Sequence, residues 1–129
     1  MPVLAVSNSN SSGEAQAVAV GAGETTIINW QRTSHRRLVD KVFEIKSVNA
    51  TAVTLRVYRS SIGTKSVYNT TTLDTNQVQV GADTALAGNA VVALAVTNFS
   101  EYLKLIAFGA GGSIHARLVS AYAGQEGPQ

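Results

Sequence analysis

The chain of 129 residues has no cysteine, two prolines, one tryptophan and one methionine. Without cysteine there is no disulfide framework, no thiolate nucleophile and no thiolate-bound zinc, and redox compartment leaves no trace in the sequence. No stretch approaches the run of about 20 apolar residues that crosses a bilayer as a helix, so no membrane partner is expected. The opening M-P-V-L-A-V-S-N-S-N-S-S-G has neither a basic start nor a long apolar segment and reads as a poor secretory signal. Net charge is only +2, too small to announce a polyanion partner. Long helical periods are also missing, which removes the crossover helices that a parallel α/β sheet requires.

What remains is rich in small and β-branched residues, with 18 Ala, 16 Val and 12 Thr. Val and Thr favour the pleated surface of a strand, and small side chains suit a thin core or a close subunit contact. Alternation predicts strands over 14–20, 24–31, 39–48 and 51–59, with Val53, Leu55 and Val57 inward and Thr54, Arg56 and Tyr58 outward. In the second of these, Thr26, Ile28 and Trp30 fall on one face. Residues 66–73 read as a polar strand or an extended loop, 77–80 as a brief strand, and 82–88 as a helical turn capped by Asp83. The apolar run 90–96 suits a central strand. Residues 101–108 and 113–123 flank G-A-G-G, with His115, Arg117 and Val119 sharing a face. Two hairpins are expected, one joining 39–48 to 51–59 and one joining 101–108 to 113–123.

About eight short strands indicate an all-β chain folded as an antiparallel β-sandwich, jelly-roll or immunoglobulin-like. The organisation expected is an N-terminal arm over 1–13, a sandwich domain over 14–123 and a flexible tail over 124–129. The arm is Ser/Asn-rich and has little to bury.

Chemistry-bearing constellations are sparse. Ser34 and His35 point to opposite faces if extended, and two separated histidines with scattered carboxylates make no triad or metal set. G-A-G at 21–23 and G-A-G-G at 109–112 lack the G-x-G-x-x-G pattern between strand and helix and read as turns. The chain therefore reads as a non-enzyme, with no catalytic, cofactor-binding or metal-binding residues assigned and no cofactor.

Charge is unevenly spread. Residues 32–65 hold eight basic and two acidic groups, a local net charge of +6. In and beside this stretch, Trp30, Arg32, His35, Arg36 and Arg37 form a candidate protein contact. Trp30 is the apolar anchor, and the arginine forks seek carboxylates. Arg56, Tyr58 and Arg59 form a secondary basic face. The alternative for this region is nucleic acid, by phosphate contacts and base stacking.

The compact β domain, the Ser/Asn arm and the closing E-Y-L-K-L-I-A-F-G-A-G-G-S-I-H-A-R-L-V-S-A-Y-A resemble small virion proteins of tailed bacteriophages, of the head decoration (cement) type. The resemblance is one of style across most of the chain, without a matched motif. It implies a non-enzymatic structural protein on the capsid exterior, assembled in the host cytoplasm. Its partners would be itself, as a homo-oligomer with a trimer favoured, and a major capsid protein. The alternatives are a nucleic-acid-binding β protein such as an RNA-phage-like coat, a tail or baseplate subunit, and a carbohydrate-binding module.

Overall fold

A computed structural model describes residues 13–33, 38–60, 70–96 and 102–122. They form eight strands and one short helix: β1 (Glu14–Val20), β2 (Thr25–Arg32), β3 (Leu38–Ser47), β4 (Val53–Ser60), α1 (Thr70–Thr75), β5 (Val78–Leu86), β6 (Val91–Val96), β7 (Tyr102–Phe108) and β8 (Gly112–Tyr122). Two four-stranded antiparallel sheets result, in the orders β1-β8-β3-β6 and β2-β7-β4-β5. The pairings β1·β8, β2·β7, β3·β6 and β4·β5 nest inside one another. That nesting is the jelly-roll arrangement, a long antiparallel ribbon folded over itself, and it decides between the two sandwich topologies the sequence allowed.

Alternation locates the strands well but names the wrong neighbours. β3 pairs with β6 and β8, whereas β4 lies in the other sheet with β5 and β7. The turn after β3 therefore crosses between sheets and closes no hairpin. The turn from β7 to β8 crosses in the same way. The period of two records which face is buried and carries no record of which strand sits alongside.

Three local expectations also change. Residues 82–86, expected as a helical turn, belong to β5, and Thr70–Thr75, expected as extended, form α1. The run 90–96, expected in the centre of a sheet, forms the edge strand β6. The strand buried on both faces is β7, where every residue from Tyr102 to Ala107 is buried.

The core lies between the sheets. Val53, Leu55 and Val57 of β4 meet Leu103, Leu105 and Ala107 of β7 on one side, and Phe43 and Ile45 of β3 with Ile114 and Ala116 of β8 on the other. At one end, three turns are tied together. Asn49 accepts from the Asn89 N–H at 2.8 Å through its carbonyl and donates its side-chain amide to the Gly111 carbonyl at 2.9 Å. Gly88 sits so close to this junction that a Cβ there would collide with the backbone of Ala50.

Candidate functional site

The first candidate surface is the outer face of the β2-β7-β4-β5 sheet. The register sets Tyr58 of β4 opposite Lys104 of β7, and Arg56 opposite Ile106. All four side chains point away from the core, because Leu103 and Leu105 occupy the alternate positions. Two register shifts in β2, between Thr26 and Ile28 and between Ile28 and Gln31, break its alternation. Ile28 consequently enters the core while Trp30 joins the outward face beside Lys104. The expected Thr26–Ile28–Trp30 face does not survive, because each bulge adds a residue and re-aims the side chains beyond it.

Cations and rings alternate across this face. The Arg56 guanidinium lies 4.9 Å from the centre of the Phe108 ring. The Lys104 ammonium lies 5.5 Å from the Tyr58 ring and 4.8 Å from the Trp30 ring. Three carboxylates complete the arrangement. Asp83 of β5 takes a two-pronged bond from Arg56, Nε to Oδ1 at 2.8 Å and Nη2 to Oδ2 at 2.7 Å. Glu24 accepts from Arg56 Nη1 at 2.7 Å and from the Tyr58 hydroxyl at 2.8 Å. Asp74 of α1 accepts from Trp30 Nε1 at 2.7 Å and from Lys104 Nζ at 2.9 Å. Leu73 beside it is buried, so α1 is held against the protein at the point where it delivers Asp74.

The titration of these groups follows from their bonds. Hydrogen bonds from Arg56, reinforced by its charge, hold the Asp83 carboxyl below the usual range. Burial first, and the bond to Glu24 second, push the Tyr58 hydroxyl up. Bonding to Asp83 foremost raises Arg56 further above its ordinary value, so it stays charged. A lowered folded-state value for Asp83 means that its contribution is complete above the ordinary aspartate range, about pH 3.9, and disappears as pH falls through the lowered value. Asp83→Asn removes that acid limb. Melting temperature measured from about pH 5 down to pH 2 should fall more steeply in the wild type than in the variant, and equal slopes would refute the linkage.

The second candidate surface is the outer face of the β1-β8-β3-β6 sheet. Glu14 of β1 is opposite Arg117 of β8, and Arg117 is opposite Glu44 of β3, so the charges alternate in a row across three strands. In the next row His115 of β8 is opposite Lys46 of β3, which is opposite Val91 of β6. These residues line an open groove of about 340 Å³. His115 and Arg117 share the outward face, as the alternation of β8 indicated. The His115 Nδ1 accepts the backbone N–H of Ala17 at 2.9 Å. An accepting Nδ1 makes Nε2 the protonated nitrogen of the neutral ring. Ala17 itself has a positive φ of 51° within the bulge of β1, so the histidine fastens an irregular edge.

Among the residues expected to form a site, Trp30 and Arg32 lie on β2, Trp30 half-buried and Arg32 exposed. His35, Arg36 and Arg37 lie outside the described residues. Arg56 and Tyr58 do share one face. Arg59 takes the alternate register position, opposite Leu103 and Val78. Sequence reasoning misses Glu24, Asp74, Asp83, Lys104 and Phe108, because each joins Arg56, Tyr58 or Trp30 only across strands. Among the described residues, no three His, Asp or Glu side chains gather closely enough to hold a metal ion, and no helix is long and apolar enough to cross a membrane.

No family model matches the chain, and no curated protein matches it in sequence. Among solved structures, the fold is similar to that in a crystal structure of PirA, with a TM-score of 0.57. The likeness spans 86% of this chain and 95% of that one at 9% identity. At such identity the likeness shows the β-sandwich fold alone.

Proposed function

We propose that the protein is a non-enzymatic structural component of a phage particle, acting by protein–protein contact on the capsid exterior as a homo-oligomer. One observation carries this reading: on the outer face of the β2-β7-β4-β5 sheet, the cations Arg56 and Lys104 and the rings of Tyr58 and Trp30, which would recognise phosphate, bases or sugar rings, are already engaged with one another and with carboxylates. Arg56 commits its fork to Asp83 and Glu24, and Lys104 is bonded to Asp74. The Tyr58 and Trp30 rings face the same ammonium. The groove on the opposite sheet offers alternating charge beside an apolar edge, a chemistry suited to another protein's surface. The style of the chain, with a Ser/Asn-rich arm preceding a compact sandwich, supports a shell as that partner.

The test has two arms. Light scattering of the purified protein should give an oligomer, and electron microscopy of phage heads assembled with the protein should show it as added exterior density. A stable monomer that is absent from every particle overturns the reading. Titration with a generic oligonucleotide at low salt addresses the nucleic-acid alternative, for which affinity must fall as salt rises. Substituting Arg32, Arg36 and Arg37 with glutamine should weaken attachment to heads more than it lowers the melting temperature. Equal losses in both would reduce the region to a folding element.

A further inference from the structure

Sheet edges expose unpaired backbone N–H and C=O groups, and proteins protect them with bulges, charges and prolines. Among the described residues, each sheet has two edges. β1 carries a bulge between Ala15 and Val18, with Ala17 at positive φ, and begins at Glu14. β2 carries two register shifts and ends at Arg32. β5 carries a register shift, Gly81 at positive φ, and Asp83. β6 has none of these devices. Its sequence is V-V-A-L-A-V, it pairs with β3 without interruption from Lys46↔Val91 to Lys41↔Val96, and Val91 is 68% exposed.

The phase of its free backbone groups follows from one bond. The Ser47 N–H donates to the Ala90 carbonyl at 2.9 Å. In an antiparallel ladder, hydrogen-bonded and non-hydrogen-bonded positions alternate. Val92, Leu94 and Val96 therefore direct their N–H and C=O groups at β3, while Val91, Ala93 and Ala95 direct theirs at the open edge. The side chains of those same three residues are exposed on the outer face. Val92 and Leu94 point inward and pack on the core, yet stay only partly buried.

We infer that β6 is a self-association edge, along which two copies pair antiparallel about a two-fold axis at Ala93. This register places Ala93 opposite the partner's Ala93 and Val91 opposite the partner's Ala95, so the outward N–H and C=O groups of all three residues find partners. Val92 then lies opposite the partner's Leu94, and two half-covered core residues cover each other at about 5 Å between Cβ atoms. A second copy is the occupant because two-fold pairing sets a strand against itself. A charged strand would meet its own charges, and β6 has none. One four-stranded sheet from each copy joins its counterpart in a continuous sheet of eight strands. The contact is isologous, which departs from the threefold that the resemblance to decoration proteins implies.

Ala93 offers a clean probe, because its side chain is exposed and its N–H does not serve the β3 ladder. Light scattering across a concentration series should show wild-type dimer, with A93K and A93E each monomeric. Both variants should keep the β-sheet circular dichroism and the melting transition of the wild type. An equimolar mixture of A93K and A93E should recover the dimer mass, since opposite charges then meet at the axis. Wild-type protein that is monomeric at about 100 μM, or an oligomer indifferent to both variants, overturns the edge. Loss in both variants without recovery in the mixture overturns the two-fold register. The inference rests on the self-association proposed for the protein, yet the two fail separately. An oligomer indifferent to A93K leaves the structural role standing, whereas particles lacking the protein remove that role and leave the edge intact.

Discussion

Phe43→Ala should lower the unfolding free energy by about 4 kcal/mol, in the range for truncating a buried aromatic. Phe43 is fully buried and is the only aromatic in the main core cluster of the described residues, where its companions are Val, Ile, Leu and Ala. Its strand β3 stands inside its sheet, with Leu118 of β8 opposite on one side and Leu94 of β6 on the other. Both strands are hydrogen-bonded to β3, so they cannot close over the space left behind, and the cavity cost adds to the lost transfer energy. Leu94 belongs to the edge proposed for self-association, so the substitution should also loosen β6. Urea unfolding of the variant gives the free energy directly. A loss under about 1 kcal/mol would mean that the thin core collapses around the gap.

Asp74→Ala should cost about 2 kcal/mol, and Lys104→Met should cost less. Asp74 accepts from the Lys104 ammonium and the Trp30 indole through one oxygen. Lys104 is only 7% exposed, so removing Asp74 strands a nearly buried positive charge and an indole donor together. Breaking a fully buried pair this way costs about 3–5 kcal/mol. Asp74 is itself half-exposed, and water can replace part of what it supplies, which places the expected loss below that range. Lys104→Met keeps an unbranched side chain between the Trp30 and Tyr58 rings, where a thioether also packs well. It removes the ammonium whose desolvation Asp74 offsets. Thermal and urea unfolding of both variants give the order. If Lys104→Met proves the more damaging, the cation–ring contacts outweigh the burial of the charge.

The contrast between β4 and β2 shows what could be read from the chain. β4 keeps its alternation from Val53 to Tyr58, and spacing alone places Arg56 and Tyr58 outward, as they stand. β2 looks equally regular in sequence, yet its two bulges turn Trp30 away from Ile28. A bulge is a property of two strands in register, so one strand's sequence does not announce it. The misplacement of 90–96 has a related cause. An apolar run is compatible with burial on both faces, but β6 stands at the edge because, among the described strands, it pairs with β3 alone.

The candidate surfaces follow the same rule. Glu24 and Asp83 lie 32 and 27 residues from Arg56 in the chain, and Asp74 lies 44 from Trp30. They converge because β5, α1 and the turn before β2 meet over one sheet. Composition and period-two alternation determined an all-β sandwich, most strand positions and which face of β4 and β8 is turned outward. These are local consequences of side-chain shape and of the pleat. Tertiary structure alone decided the jelly-roll order, the crossing turns, the cation–ring face and the open edge at β6. Each of those depends on which strands lie side by side, and long-range pairing is set by the packing of the whole sandwich.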